Sequence, residues 1–478
     1  MNITSILALI YAILTIVAII LLISDNRDSE TTLAWILIIF FVPGLGLPLY
    51  YFFGRDWYKS SRRRKFLLAG QKELSKTFLS FGKKYPKDKK TFLDKEKGSI
   101  IEKVSKLSTT RCGETLSTAT KVAILPSGKE KFKLLKEDLN TAKKYIVLQY
   151  FIWERDKLTG EIFDILSRKL DDGIEVYIMY DFIGSLFFSK AELKKLKKLG
   201  AIVAADVTNL NMLNYRNHRK VAIIDGQVAY TGGINMGQEY IDGGKRFPTW
   251  RDDAIRVEGS VVLVLLALFA IRLYERKKIN MFNDKYFASN ILNKTNEVFI
   301  QTIFSSVDGA KEAIVDIYSL AITNAKERVW LQSPYFVPNP HLNESIKSAA
   351  QSGADVRLMI TGLPDKKIPW YAAFSYFKEL LEAGVKIYLY EKGFMHAKMA
   401  TFDKLFFSMG TTNLDYRSFS LHDEQTLLVF DQELTKKNDH IYENDLKNCR
   451  QITLSELKQI GRLKNFRNSI CRLFSKVI

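Results

Sequence analysis

The pattern His-x-Lys-x4-Asp occurs twice in the chain, as His218, Lys220 and Asp225 and again as His396, Lys398 and Asp403. With five histidines in 478 residues, chance does not supply both copies. Each copy is followed by small residues ending in asparagine, Gly232-Gly233-Ile234-Asn235 and Gly410-Thr411-Thr412-Asn413, and the His-to-Asn spacing is 17 residues in both. These residue types suit transfer at a phosphodiester, which needs a nucleophile, a proton donor for the departing alkoxide and cations around the phosphoryl oxygens. Two histidines can fill the first two roles. One attacks phosphorus to give a phosphohistidine; the other protonates the leaving hydroxyl and then deprotonates the acceptor. Lys220 and Lys398 can hold the non-bridging oxygens and offset charge in the transition state, with Asn235 and Asn413 as neutral donors to the same oxygens. The lysines supply the positive charge, so neither a metal nor another cofactor is expected.

A duplicated fold unit is what brings two such distant motifs together. Tyr145 to Ile152 is a continuous apolar run that reads as a buried strand, Ile162 to Leu170 as an amphipathic helix, and Gly173 to Met179 as the next strand. This is a βαβ pattern, and it returns: Val329 to Phe336 matches the first strand and Gly353 to Ile360 the second. Gln149 and Gln332 occupy equivalent places, each followed by an aromatic pair, Tyr150-Phe151 and Tyr335-Phe336, read as core or wall. Two halves, about 116–290 and 291–478, are expected to form a pseudo-twofold pair of α/β domains sharing one site. The remaining histidines, His341, His422 and His440, are read as structural.

The first fifty residues have a different character. Ile3 to Ile23 is 21 residues without a charge, roughly 31 Å of helix and about the thickness of a bilayer's hydrocarbon core. A polar loop follows, Ser24 to Thr32, with Asp25, Arg27, Asp28 and Glu30. A second apolar run, Leu33 to Phe53, is interrupted by Pro43, Gly44, Gly46 and Pro48, which predicts a kink or a broken end. No basic residue precedes the first run and no small-residue cleavage site follows it, which disfavours a signal peptide. Arg55, Lys59, Arg62, Arg63, Arg64 and Lys65 follow the second run, which places them in the cytoplasm together with the N-terminus. Residues 55–115 are basic and read as a linker or membrane-facing surface, or equally as a merely solvated charged face. The net charge of +19 asks for an anionic partner, nucleic acid or an acidic membrane, and does not choose between them. Cys112, Cys449 and Cys471 lack any spacing that would make a disulfide framework or a zinc cluster. Val261 to Ile271 is too short to span a bilayer; a buried helix is the expectation and an interfacial helix the alternative. For Leu454, Leu457, Ile460, Leu463, Phe466, Ile470 and Leu473, which recur at helical spacing among basic residues, packing on the body and lying on an anionic membrane both remain open.

The paired motifs with their small-residue turn and asparagine resemble the signature of the phospholipase D superfamily over nearly the whole chain. Asn217-His218-Arg219-Lys220, Ser333-Pro334-Tyr335-Phe336-Val337-Pro338 and Asn413-Leu414-Asp415-Tyr416-Arg417-Ser418-Phe419, together with the two-span anchor, are similar to bacterial cardiolipin synthases. The resemblance implies an α/β fold in which an N-terminal two-helix transmembrane hairpin (1–54) and a basic linker (55–115) precede two duplicated phospholipase D-like domains (116–290 and 291–478) with one shared active site. It implies transfer of a phosphatidyl group between two phosphatidylglycerol molecules to give cardiolipin and glycerol, without ATP or CTP. By the same resemblance His218 is the nucleophile, His396 the acid/base, and the six motif residues form the catalytic set, with Asp225 and Asp403 stabilising its framework. The orienting carboxylates it suggests are Asp252 (in Trp250-Arg251-Asp252) for His218 and Glu424 for His396. The implied partners are phospholipids of an anionic bilayer and not nucleic acid. The implied place is a bacterial cytoplasmic membrane, multi-pass, with both termini and the catalytic domains cytoplasmic. A phospholipase D making phosphatidic acid is the alternative; a nuclease, which the anchor disfavours, or a non-catalytic membrane scaffold stand behind it. The chain departs from the family pattern at Ser305-Ser306-Val307-Asp308, where a Ser-Gly-Pro-Asp-like turn is expected, and at Arg272-Leu273-Tyr274, where an acid and a tryptophan are expected.

Overall fold

The computed structural model describes residues 3–25, 29–54, 86–113, 115–186, 188, 190–206, 214–287, 298–306 and 310–473. Arg27 and Asp28 of the polar loop, the basic stretch from Arg55 to Lys84, and Val307-Asp308 lie outside the described residues.

The N-terminal helices form a unit of their own. Ile3–Ser24 is one unbroken helix, apolar on every side, with Ile3, Leu7 and Leu14 among its exposed side chains; a helix of that kind is built for lipid rather than for water. Within the described residues it alone is long and apolar enough to cross a membrane. The second apolar run does not form one helix. Ser29–Phe41 has 13 residues, about 20 Å, short of a full span. The chain then breaks at Pro43-Gly44, where Gly44 takes a positive φ of 87° and its N–H donates to the Tyr11 hydroxyl at 3.0 Å, before a short turn of helix at Gly46–Leu49.

The body is built on two sheets with the same internal order. Among the described residues, the first has seven strands in the spatial order Lys121–Leu125, Ala254–Glu258, Val228–Gly232, Val221–Ile224, Tyr145–Tyr150, Glu175–Asp181 and Ile202–Asp206. The second runs Val298–Ser305, His422–Phe430, Phe406–Gly410, Met399–Phe402, Arg328–Gln332, Asp355–Thr361 and Lys386–Tyr390, with Leu116–Ala119 added at one edge and Cys449–Ile452 at the other. In each, the first five strands are antiparallel and the last two join in parallel, so the duplication inferred from sequence is a duplication of topology. Leu116–Ala119 falls in the first half by sequence yet extends the second sheet.

Alternation explains why the key strands are apolar throughout. On Tyr145–Tyr150, Tyr145 and Val147 face one core and Ile146, Leu148 and Tyr150 the other, so both faces are covered. The apolar run starting at Val261 is the first part of the helix Val261–Lys277. Val261 to Ala270 are all buried, most of them in a core shared with Phe407, Met409, Leu427 and Val429 of the second sheet. The helix is the filling between the two sheets, which settles its reading against an interfacial helix. Arg272, one of the departures from the family pattern, is buried there and forms ion pairs with Asp206 at 2.7 Å and with Glu275 at 2.8 Å.

Candidate active site

The two halves are stitched together at the site by reciprocal strand pairs. Arg216–Asn217, just before His218, runs parallel to the start of His422–Phe430, and the His218 N–H donates to the Asp423 carbonyl at 2.9 Å. Phe394–Met395, just before His396, runs parallel to Trp250–Arg251, and the His396 N–H donates to the Arg251 carbonyl at 2.7 Å. Each histidine is thus held beside a segment of the opposite half.

That arrangement corrects the carboxylate assignment. His218 Nδ1 lies 2.8 Å from Glu424 Oε1, and His396 Nδ1 lies 2.6 Å from Asp252 Oδ2. The pairing is crossed, not within each half, because the parallel splices pair Asn217 with Asp423 and Met395 with Arg251, so that one residue further on each histidine comes level with the acid of the opposite half. Both carboxylates are fully buried. A carboxylate only accepts, so the Nδ1 proton sits between the pair and Nε2 is left with its lone pair. The small-residue turns make room for the acids. A Cβ on Gly233 would run into the Asp252 carboxylate, and at the matching place in the other half Thr411 donates its hydroxyl to Glu424.

Asp225 and Asp403, the last members of the motifs, are not among the residues that line the cavity shared by His218 and His396. Five residues of strand beyond the lysine carry each about 16 Å away, to the far end of its sheet. Asp225 accepts from the backbone N–H groups of Lys143, Lys144 and Tyr145 at 2.8–2.9 Å. Asp403 accepts from those of Lys326, Glu327 and Arg328, the shortest at 2.7 Å. Both sit at positive φ, 53° and 49°, in equivalent tight turns. They pin the start of the strands Tyr145–Tyr150 and Arg328–Gln332, a framework duty.

His218 and His396 line one cavity of about 630 Å³ together with Asn235 and Asn413. Of the aromatic pairs, Tyr150 and Phe336 are core, whereas Phe151 and Tyr335 line the cavity; the Phe151 ring stands edge-on to His218 at 4.9 Å. Lys220 and Lys398 are buried next to the histidines, and each donates to the carbonyl of its own motif's histidine, at 2.7 and 2.6 Å. Burial pulls the Lys220 ammonium down to about 7 and Lys398 to about 8, opposed by the buried carboxylates. Burial, with the lysine charges, holds His218 well below the ordinary imidazole value and brings His396 to about 4 despite Asp252. In the unliganded site at neutral pH both imidazoles are therefore neutral. Asn235 Oδ1 accepts from the Ile152 N–H at 3.2 Å, which turns its amide donors toward the Tyr240 hydroxyl and the cavity.

His422 was not recognised from the sequence as a site residue, but it lines this cavity, its ring 5.6 Å from that of His218 and its Nδ1 3.7 Å from Glu424 Oε1. The available signal was alternation: on a strand, residues 422 and 424 share a face. The ligand-type atoms of His218, His422 and Glu424 lie within 4.8 Å of one another, a spacing a transition-metal ion can bridge only at the expense of the His218–Glu424 hydrogen bond. His341 is on the surface, and His440 is an exposed partner of Glu443, as expected of structural histidines. The cavity also gathers Arg216, Arg246, Lys366 and Arg417 together with Glu154, Glu239, Asp365 and Asp415, a charged lining of both signs that its histidine motifs did not announce. Arg216 is fixed there by Asp181, with Nε 2.7 Å from Oδ2.

The family model described as "Cardiolipin synthase, PLD-like domain" matches residues 135–244 and 318–446, one segment around each motif. The cardiolipin synthase of Clostridium perfringens (strain SM101 / Type A) is 33% identical over 465 residues, 95% of each chain. The chain belongs to the cardiolipin synthase family. Within it, the major cardiolipin synthase of Bacillus subtilis (strain 168) is 32% identical over the full length of both proteins. A second family model, "Phospholipase_D-nuclease N-terminal", matches residues 13–55. Among solved structures, the phosphatidylserine synthase of Haemophilus influenzae Rd KW20 superposes with a TM-score of 0.60 at 15% identity, covering 78% of this chain and all of that one. It shares the fold.

Proposed function

We propose that this enzyme transfers a phosphatidyl group from one phosphatidylglycerol to another, producing cardiolipin and glycerol. The observation that carries the mechanism is the pair of histidines, each oriented by a buried carboxylate from the opposite half, opening on one cavity. His218 Nε2 attacks phosphorus, the P–O bond to the head-group glycerol breaks, and His396 delivers a proton to the leaving oxygen. The second phosphatidylglycerol then enters; His396 takes the proton from its terminal hydroxyl, that oxygen attacks phosphorus, and the P–Nε2 bond breaks to restore His218. One phosphodiester replaces another, so no nucleotide is consumed. His396 must carry a proton in the first step. An anionic phosphodiester lying against Lys220 and Lys398 offsets the lysine charges that depress the histidine, and so raises its proton affinity when substrate is bound. The lysines stabilise the non-bridging oxygens, and Asn235 and Asn413 add neutral donors.

The lipid partners and the anchor belong to the same reading. The break at Pro43-Gly44 is taken as the bend of a second, interrupted membrane segment in an anchor of residues 1–54, with a basic region 55–115 and catalytic domains 116–290 and 291–478 on the cytoplasmic side. Lipid mass spectrometry on purified protein given phosphatidylglycerol alone tests the reaction. Cardiolipin with equimolar glycerol, absent in His218→Ala and His396→Ala, is the expected result. Phosphatidic acid as the main product would make water the acceptor and overturn the transferase reading.

A further inference from the structure

The helix Arg462–Leu473 is turned inside out relative to a helix that packs by its apolar face. Leu463, Phe466, Ile470 and Leu473 fall within an arc of about 80° at about 100° per residue, and they are 85%, 66%, 39% and 81% exposed. The side toward the body carries no large apolar side chain. Asn468 and Cys471 are buried, and the guanidinium groups of Arg467 and Arg472 stack on Tyr371 and Tyr376 at 3.5 and 4.2 Å. A protein in water gains nothing by holding a helix in this sense. The twelve residues include Arg462, Lys464, Arg467 and Arg472 and no acid. The helix they pack against, Lys367–Glu382, begins at the catalytic cavity: Asp365, Lys366 and Pro369 line it, and Leu363 and Ile368 beside them are 36% and 49% exposed.

We infer that Arg462–Leu473 is an interfacial helix that lays its outward apolar face into a bilayer of acidic phospholipid. Four large apolar side chains meet the acyl boundary, the exposed Arg462 and Lys464 meet the anionic headgroups, and the stacks of Arg467 and Arg472 on tyrosine fix the helix to the element that rims the cavity. Docking would therefore set the cavity mouth against the lipid surface. The charge of the helix selects this occupant over an apolar protein surface, which would leave the cations beside it unmatched.

The test uses the full chain in vesicles, with Cys449→Ser removing the partly exposed cysteine and a nitroxide placed at Phe466→Cys or, on the other side of the helix, at Asn465→Cys. In vesicles containing phosphatidylglycerol, the label at 466 should be reached by oxygen and shielded from a water-soluble nickel chelate, and the label at 465 the reverse. Equal exposure of both labels to the chelate would overturn the inference. Dipolar broadening between labels at 466 would do so as well, because it would mean that a second copy covers the face. The triple variant Leu463→Gln/Phe466→Gln/Leu473→Gln should lower turnover of vesicle phosphatidylglycerol about tenfold, in line with lost interfacial area, and leave turnover of a short-chain micellar substrate unchanged. An equal loss on both substrates would show that the helix acts through the fold. The depth readout needs no turnover, so it stands or falls separately from the proposed reaction.

Discussion

Glu424→Gln isolates the crossed pairing. The substitution keeps size and one acceptor oxygen but removes the charge 2.8 Å from His218 Nδ1. A buried hydrogen bond to a charged group is worth about 1.5–3 kcal/mol, and about 1.4 kcal/mol is tenfold. Loss of imidazolium stabilisation alone then predicts a fall in kcat of about 10- to 150-fold. A second effect adds to it. Glu424 is the main charge holding up the Lys220 ammonium, which titrates at about 7. Removing a negative charge lowers that value further, so the cationic form is lost at a lower pH and the alkaline limb of the rate profile moves to the acid side. The assay is initial-rate cardiolipin formation from pH 5.5 to 9, with nitrogen-15 histidine NMR of the same protein. Glu424→Gln should move the His218 ring resonances and leave those of His396 in place, and Asp252→Asn should do the opposite. A rate within a factor of three of the parent, or a perturbation at His396 from Glu424→Gln, would refute the crossed dyads.

Other consequences follow from the same geometry. In the unmodified enzyme, activity that depends on cationic Lys220 and Lys398 should be full only well below 7, where both ammonium groups are charged, and decline as pH rises through 7 to 8, and Lys220→Arg should restore charge on the alkaline side, read as a flattened limb in whatever activity remains. Gly233→Ala, whose Cβ meets the Asp252 carboxylate, should cut turnover at least about tenfold through a displaced His396; turnover equal to the parent would mean that the acid has slack. Asp225→Ala removes the acceptor of three backbone N–H groups. It should cost about 1–3 kcal/mol of stability, seen as a lower melting temperature, while kcat of the folded fraction stays unchanged; a selective loss of kcat would return Asp225 to the catalytic set.

The histidines and lysines were legible because duplication tests a motif against itself: two His-x-Lys patterns, each 17 residues from an asparagine, constrain each other. The α/β halves were legible for the same reason, and because strands buried on both faces, such as Tyr145–Tyr150, read as continuous apolar runs. The carboxylate partners were not. In a pseudo-symmetric pair, an acid that stays in its half and an acid that crosses give the same sequence pattern, and only the short splices at Arg216–Asn217 and Phe394–Met395 decide. His422 carried no duplicated context, so its place beside His218 emerged only when the strand was aligned with its neighbour across the halves. Apolar runs are similarly ambiguous: for Val261 to Ile271 a buried helix is the expectation and an interfacial one the alternative, for Leu454 to Leu473 packing and a membrane surface are both open, and the first is buried between two sheets whereas Leu463, Phe466 and Leu473 face outward.

The covalent intermediate is the most direct test of the account. Purified enzyme mixed with phosphatidylglycerol labelled with phosphorus-32, quenched in alkali within one turnover and mapped by peptide mass spectrometry, should carry the labelled phosphorus on the peptide containing His218. The adduct should build up if His396→Ala retains enough turnover to form it, and be absent in His218→Ala. Label on His396 with none on His218 would reverse the roles, and turnover to cardiolipin with no labelled histidine at any time would contradict the phosphohistidine mechanism.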